Sequence, residues 1–154
     1  MSGFRKTRAY RMHIQADPER VFPLLCPVRE YEWIDTWDCE MVRSGSGIAE
    51  KDCVFKTTFE ADGPEDTWLV SRYEPPSAIE FIRTNALRVM RYTIELQRSS
   101  RGGTEAVWAQ VVTGLNAEGD RFVQALSDEA FTRRMAALER KLEHYLTTGR
   151  MLAS

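Results

Sequence analysis

Residues 116–149, NAEGDRFVQALSDEAFTRRMAALERKLEHYLTTG, form the stretch that decides the fold of this chain. Apolar side chains recur there mostly at steps of three to five residues, which places them along one stripe of a helix. The stripe comprises Leu115, Phe122, Leu126, Phe131, Met135, Leu138, Leu142 and Tyr145. Asn116 can cap the start and Gly149 the end, while a second start signal at Ser127 allows a break there.

Such a helix is not stable by itself. If it is continuous it has about 30 residues, and ordering each residue costs roughly 1–2 kcal/mol of backbone entropy. Burying the apolar stripe contributes about 1.5–3 kcal/mol for each side chain, which does not offset that cost. The helix therefore needs a broad apolar surface, and the preceding sequence must supply it.

The preceding sequence predicts strands. Apolar and polar side chains alternate with a period of two, which is typical of strands that bury one face. The alternation predicts seven strands, at residues 8–16, 37–43, 53–60, 68–71, 79–81, 87–97 and 104–115. Two short helices, beginning at Pro18 and Pro27, follow the first strand. Because short turns join the later strands, we expect an antiparallel meander and an α+β fold class.

Composition limits the possible partners. The 154 residues predict a single domain spanning residues 1–154, and 43% hydrophobic with 29% charged residues is ordinary for a globular protein. A net charge of -2 gives no electrostatic reason to expect nucleic acid or an anionic membrane as partner. The local basic bias at Arg5, Lys6, Arg8 and Arg11 is more typical of a solvated terminus, and residues 1–7 are predicted to form a flexible tail.

Neither a signal peptide nor a membrane span is evident, so a cytoplasmic protein is expected. Cys26, Cys39 and Cys53 lack the paired spacing of a zinc site. Cys39 and Cys53 could lie on neighbouring strands, but all three are predicted to be reduced, buried thiols. His13 and His144 are expected at the surface. We find no metal-ligand spacing, nucleophile motif or phosphate loop, and therefore expect no metal, no cofactor and no catalytic constellation. This pattern argues weakly against a hydrolase, a kinase or a metalloenzyme.

Three short stretches carry a resemblance to a known superfamily. They are ADPERVF at 16–22, PVREYEWI at 27–34 with Trp37-Asp38, and Thr113-Gly114-Leu115 before the last helix. With the order of elements, they resemble the START-like superfamily, also called SRPBCC, which includes polyketide cyclases and the birch-pollen allergen type. The second stretch looks like an uncharacterised bacterial subgroup. The resemblance implies a helix-grip fold, in which a curved sheet wraps the long carboxy-terminal helix around a cavity for an apolar molecule.

The inward side chains of such a fold are the candidate ligand-binding residues. They are Met41, Phe55, Thr57, Phe59, Trp68, Arg72, Phe81, Arg83, Met90, Tyr92, Trp108, Gln110, Phe131, Met135 and Leu138. Core packing explains most of them, and the polar ones are more informative because a ligand site is usually apolar with a few placed polar groups. Arg72 or Arg83 would select a carboxylate or another anion inside the cavity, or would reach water at a strand end.

The stretch around Trp33 is the most distinctive. Glu30 could cap a helix or pair with an arginine, and the rings of Trp33 and Trp37 could close one end of the cavity. A structural role is favoured for all three residues.

Three functions are consistent with the sequence. The leading hypothesis is binding of an apolar or aromatic small molecule, lipid- or polyketide-like, by a monomer or homodimer. The first alternative is a polyketide-cyclase-like enzyme that uses acid–base help from Tyr92, Arg72 or Arg83. The second is a protein-interaction module like the heat-shock-protein ATPase activator homologues. That role predicts an apolar patch on the outer face of the sheet, where the sequence instead places polar residues such as Lys56, Arg91 and Glu95.

Overall fold

A computed structural model describes residues 3–154. The strands are β1 (Arg5–Ile14), β2 (Glu40–Arg43), β3 (Val54–Thr57), β4 (Asp66–Glu74), β5 (Ala78–Thr84), β6 (Arg88–Arg98) and β7 (Thr104–Gly114). The helices are α1 (Pro18–Val21), α2 (Ala117–Gln124) and α3 (Asp128–Thr148), and 3-10 turns cover Phe22–Leu25, Glu30–Glu32 and Glu60–Asp62. None of these helices is long and apolar enough to span a membrane.

The strands form one seven-stranded sheet in the order β1-β7-β6-β5-β4-β3-β2. Every neighbouring pair is antiparallel, and the long ladders β1–β7 and β6–β7 run almost the full length of their strands. The predicted meander and α+β class are therefore confirmed. Side chains from the inner face of this sheet pack against α3, and the buried core lies between them.

The long helix is broken where a second start signal was noted. Its two parts are α2 and α3, and each has its own cap: the Asn116 side chain accepts from the Gly119 amide at 2.8 Å, and the Ser127 hydroxyl from the Ala130 amide at 3.1 Å. Lys6 Nζ donates to the carbonyl oxygens of Gln124 and Leu126 at the break. These interactions satisfy backbone groups that a continuous helix would have paired internally.

Leu115 is the exception in the predicted apolar stripe. It lies between β7 and α2 and is 54% exposed, so its inclusion in the stripe is wrong. Val123, which the stripe omitted, is fully buried on α2. The spacing rule failed at Leu115 because that residue precedes the first helical turn and does not share the helical rotation.

Element ends differ from the prediction at several places. β1 begins at Arg5, so the predicted tail over residues 1–7 overlaps a paired strand, and residues 1 and 2 lie outside the described residues. β2 begins at Glu40 and not at residue 37, because the Trp37 backbone N–H donates to the Ile34 carbonyl in a turn. Cys26, Cys39 and Cys53 are free thiols, of which Cys26 and Cys53 are buried.

Candidate functional site

A cavity of about 320 Å³ lies between the inner face of the sheet and α3. Its lining is mostly aromatic and aliphatic, with a few charged and amide side chains. The lining residues are Glu30, Ile34, Thr36, Trp37, Phe59, Ala61, Asp62, Trp68, Phe81, Arg83, Tyr92, Ile94, Trp108, Gln110, Phe131, Arg134, Met135, Ala137, Leu138 and Lys141.

The sheet contributes alternate residues of four adjacent strands. β5 places Phe81 and Arg83 on the wall, and β7 places Trp108 and Gln110 there, in each case two residues apart. Two-residue steps lie on one face of a strand, so the pleat brings these side chains to the concave side. Cross-strand pairing then sets their neighbours, such as Trp68 opposite Arg83.

An aromatic cluster closes the cavity toward the β2 side of the sheet. The Trp37 ring lies 5.6 Å from the Phe59 ring and 6.1 Å from the Trp68 ring, measured between centroids. Trp37 is fixed by its Nε1–H, which donates to the Pro27 carbonyl at 2.8 Å. The short helical segments after β1 thus position one end of the cavity.

Arg83 is the central cation of the wall. Its Nη2 donates to Asp62 at 2.8 Å and also to Asp66, and its guanidinium carbon lies 3.8 Å from the Trp68 ring centroid. Arg88, which is 1% exposed, donates to the same Asp66 oxygen at 2.7 Å. The buried carboxylates hold the arginine against Trp68 and orient it beside the cavity.

Several buried polar atoms of this region have no protein partner among the described residues. Trp108 Nε1 is one, and it belongs to a cavity-lining ring. Arg83 Nε and Asp66 Oδ1 are others, and they lie in the ion network. A buried donor or acceptor without a partner costs about 1–3 kcal/mol, so these atoms are an energetic cost within the wall of the cavity.

Glu30 and Tyr92 are the cavity residues whose pKa values differ strongly from the ordinary ones. Burial raises the pKa of the Glu30 carboxyl well above its usual range, and the positive charge of Arg83 offsets this only in part. Burial likewise raises the pKa of the Tyr92 hydroxyl far above its usual value. Glu30 is half-buried, and because it lines the cavity we infer that the accessible part of its side chain borders the cavity.

α3 supplies two further cations. Lys141 Nζ lies 2.7 Å from Asp35, and Arg134 lies 3.6 Å from Asp62. The Arg134 side chain is half exposed, so the cavity reaches solvent beside it. Within residues 3–154, no cluster of His, Cys, Asp and Glu could hold a metal ion.

Most of the predicted ligand-binding residues meet at this cavity. Those that line it are Phe59, Trp68, Phe81, Arg83, Tyr92, Trp108, Gln110, Phe131, Met135 and Leu138. Of the rest, Met41, Phe55, Thr57 and Met90 are not part of the lining. Phe55 stacks on Trp68 at 5.0 Å and Thr57 accepts from Trp68 Nε1 at 2.9 Å, so these two residues hold Trp68 from the neighbouring strand β3. Binding by the lining residues stays a prediction.

Arg72 lies outside the cavity, and the physical reason is a shift in register. Between Val70 and Arg72 the pairing of β4 with β5 slips by one residue. A bulge of this kind reverses which face the following side chains occupy. Arg72 therefore pairs with Glu74 at 2.6 Å on the solvent side, while Tyr73 packs against Phe22 inside.

Sequence reasoning missed part of the lining. Ile94 follows Tyr92 by two residues and could have been found from the alternation. Ala61 and Asp62 lie in a 3-10 turn, where no period predicts the direction of a side chain. Trp37 lines the cavity as suggested, whereas Trp33 is fully buried elsewhere and donates to the Leu24 carbonyl at 2.8 Å.

Comparison with known proteins identifies the fold. No protein-family model matches the chain, and no curated protein matches its sequence. The structure of major latex-like protein 151 from Panax ginseng matches with a TM-score of 0.69 at 10% identity, covering 93% of this chain and 98% of that chain. A Rhodobacter sphaeroides protein matches with a TM-score of 0.65 at 22% identity, covering 92% and 91%.

A third match is a putative protein in the dynemicin biosynthetic locus, with a TM-score of 0.61 and 14% identity. It covers 94% of this chain but 48% of that longer chain. These likenesses are to folds, since each identity is low. They confirm the predicted helix-grip fold.

Proposed function

We propose that this helix-grip chain binds a small aromatic or apolar molecule that carries a hydrogen-bond-accepting oxygen. The observation that carries the proposal is the aromatic cavity beneath α3, whose otherwise apolar wall includes the donor-bearing side chains of Arg83, Tyr92 and Arg134. Apolar walls with a few placed polar groups are the usual composition of a small-molecule site.

The cavity volume restricts the size of the ligand. About 320 Å³ is at the lower end of the range of roughly 300–1,000 Å³ that ligand pockets span. A cavity of about 150 Å³ accommodates benzene, so this one has room for roughly two rings. Within the lipid- or polyketide-like class, the proposal therefore favours a one- or two-ring compound over a long acyl chain.

The charges of the wall define the polar end of the ligand. Arg83, Arg134 and Lys141 line the cavity, and each is a donor without acceptor capacity. Tyr92 stays protonated because burial raises its pKa, so its hydroxyl can donate as well. A carbonyl or carboxylate oxygen satisfies this set better than an amine would.

Binding of 2-naphthoate, a two-ring carboxylate, tests the proposal by titration calorimetry, with the intrinsic fluorescence of the cavity tryptophans as a second readout. Saturable binding to one site is expected, with weaker binding of 2-methylnaphthalene, which lacks the carboxylate. Ala137→Phe should block the cavity. Ala136→Phe is the matched control, because Ala136 lies on the same helix but lines a separate groove beside His13 and Glu139.

Absence of binding by either two-ring compound would overturn the proposal. Equal binding to the Ala137→Phe and Ala136→Phe variants would also contradict it, since the ligand would then lie outside the cavity.

A cyclase-like enzyme is the second candidate. It is supported by the presence of Tyr92 and Arg83 in one cavity and by the likeness to the protein of the dynemicin locus. Conversion of a short poly-β-ketone thioester to an aromatic product, with the conversion lost in Tyr92→Phe, would support it. The protein-interaction alternative gains no support, because Arg91, Thr93 and Glu95 give the outer face a polar surface and Thr93 donates to Glu80 there.

A further inference from the structure

Glu30 is a carboxylate inside the cavity that the fold does not use. It begins the 3-10 turn Glu30–Glu32, and its backbone carbonyl accepts from the amides of Trp33 and Ile34. Its side chain lines the cavity, and no hydrogen bond or ion pair engages its carboxylate within residues 3–154. The turn is thus held by the backbone, and the carboxylate is left available to a ligand.

The cations of the cavity are committed to other carboxylates. Arg83 bonds to Asp62 and Asp66, and Arg134 lies near Asp62. Lys141 pairs with Asp35. Structural ion pairing therefore does not account for Glu30. A half-buried carboxylate without a cation partner is costly when ionised, so a purely structural role would favour an apolar side chain at this position.

The donors that share this cavity complete an acid–base arrangement. Tyr92, which carries a hydroxyl, and Arg83, which carries a guanidinium, belong to the same lining as Glu30. Fixed donors of this kind stabilise a developing oxyanion. A carbonyl compound can then lie with its oxygen on the donors and an adjacent C–H beside the carboxylate.

We propose that Glu30 is a catalytic residue that transfers a proton to and from the carbon next to the carbonyl of a small apolar ketone. The ionised carboxylate takes a proton from that carbon, the C–H electron pair forms a C=C bond, and the carbonyl oxygen receives the negative charge. The Tyr92 hydroxyl and Arg83 stabilise this enolate. Glu30 then returns its proton to the same carbon, which gives exchange of the α-proton, or to a conjugated carbon of an unsaturated ketone, which moves the double bond; neither outcome needs a co-reactant.

This inference rests on the proposed function, because the ketone must occupy the same cavity. It goes beyond binding in assigning a reaction class and a base. The environment suits that role, since burial raises the pKa of the Glu30 carboxyl and so makes its carboxylate a stronger base. The other titratable groups of the lining are Asp62, Arg83, Tyr92, Arg134 and Lys141.

Hydrogen–deuterium exchange in 2-tetralone, a two-ring ketone, tests the inference by proton NMR in D₂O. The intact protein should accelerate loss of the α-proton signals over buffer, with saturation and with a rate that rises as Glu30 ionises. Glu30→Gln should slow the protein-dependent exchange about 100-fold or more, and Glu30→Asp should retain more activity than Glu30→Gln. Glu32→Gln is the control, because Glu32 shares the turn but does not line the cavity.

The outcomes separate the two proposals. Binding of 2-naphthoate by Glu30→Gln that is at least as tight as in the wild type, because a like charge is removed, together with lost exchange supports the inference and shows that the variant is folded. Exchange by Glu30→Gln at the wild-type rate overturns it, as does wild-type exchange no faster than buffer while 2-naphthoate binds. Failure of 2-naphthoate to bind the wild-type protein contradicts the proposed function instead, and exchange that persists in Ala137→Phe overturns the assignment of the reaction to this cavity.

Discussion

The guanidinium of Arg83 lies directly against the ring of Trp68, 3.8 Å from its centroid, on the neighbouring strand. Phe55 stacks on the Trp68 ring at 5.0 Å, and Asp66 bonds to the arginine. The stack places a fixed positive charge in an apolar wall, which is the combination that recognises an oxygen on an aromatic ligand. The interactions that hold it predict the effects of substitutions.

Asp66→Asn should lower the free energy of unfolding by about 3–5 kcal/mol, because it leaves the buried charge of Arg88 without a carboxylate and leaves Arg83 with Asp62 alone. Chemical denaturation measures this loss. Glu65→Gln is the matched control: its neighbour Lys56 is 3.6 Å away and both side chains are exposed, so the expected change is about 0–1 kcal/mol. Similar losses in the two variants would contradict the structural role of the network.

Tyr92→Phe should weaken 2-naphthoate binding about 2- to 12-fold, which corresponds to one net hydrogen bond of about 0.5–1.5 kcal/mol. Titration calorimetry measures the change. Tyr10→Phe is the control, because its hydroxyl donates to Glu139 at 2.6 Å and Tyr10 does not line the cavity. Tyr10→Phe should therefore leave the affinity unchanged. An unchanged affinity in Tyr92→Phe would refute the assigned role of its hydroxyl.

The regular parts of the sheet and of α3 could be predicted because their side chains follow a period. Phe81 and Arg83 share a face through the pleat, and Phe131, Met135 and Leu138 share a face of α3 through the helical turn. Arg72 shows where the period stops being informative. One slipped pair after Val70 turns it outward, and the sequence of β4 carries no signal of that slip.

The irregular segments carry the least predictable part of the site. Glu30, Thr36 and Asp62 come from turns between strands, where neither a two-residue nor a 3.6-residue period applies. Their direction is set by tertiary contacts such as the Trp37–Pro27 hydrogen bond. The distinctive stretch at 27–34 drew attention to Glu30, but only the structure shows that this residue lines a cavity and has no ion pair within residues 3–154.

Glu30→Gln should change stability in a pH-dependent manner. The pKa of Glu30 is raised in the folded protein, so the folded state binds more protons than the unfolded state between the two pKa values. The stability of the wild-type protein therefore falls as pH rises from about 4.3, the ordinary pKa of an unfolded glutamate, through the folded pKa. Glutamine does not ionise, so the variant does not lose stability in this way. Its stability relative to the wild type should therefore increase over that pH range in denaturation measurements.

Glu32 provides a control of opposite sign within the same turn. A hydrogen bond from Arg29, with another from Tyr145, lowers the pKa of Glu32. Its stabilisation is present above the unfolded pKa and is lost as pH falls through the folded pKa. Glu32→Gln should therefore destabilise the protein at neutral pH and converge with the wild type in acid. Parallel pH profiles for the two variants would show that Glu30 is not buried beside the cavity.

Gly119→Ala should destabilise the protein by about 1–3 kcal/mol or more, although alanine is the better helix former by about 1 kcal/mol. A Cβ at this position would lie 1.8 Å from the Leu87 carbonyl oxygen, which already accepts a hydrogen bond from Leu115. Backbone must therefore move, and α2 would separate from the β5–β6 connection. Gly149→Asn is the control, because its φ of 71° is tolerated by asparagine and no atom lies within 4 Å of a Cβ there. A lower melting temperature for Gly149→Asn than for Gly119→Ala would show that the close packing of α2 on Leu87 does not determine which substitution is tolerated.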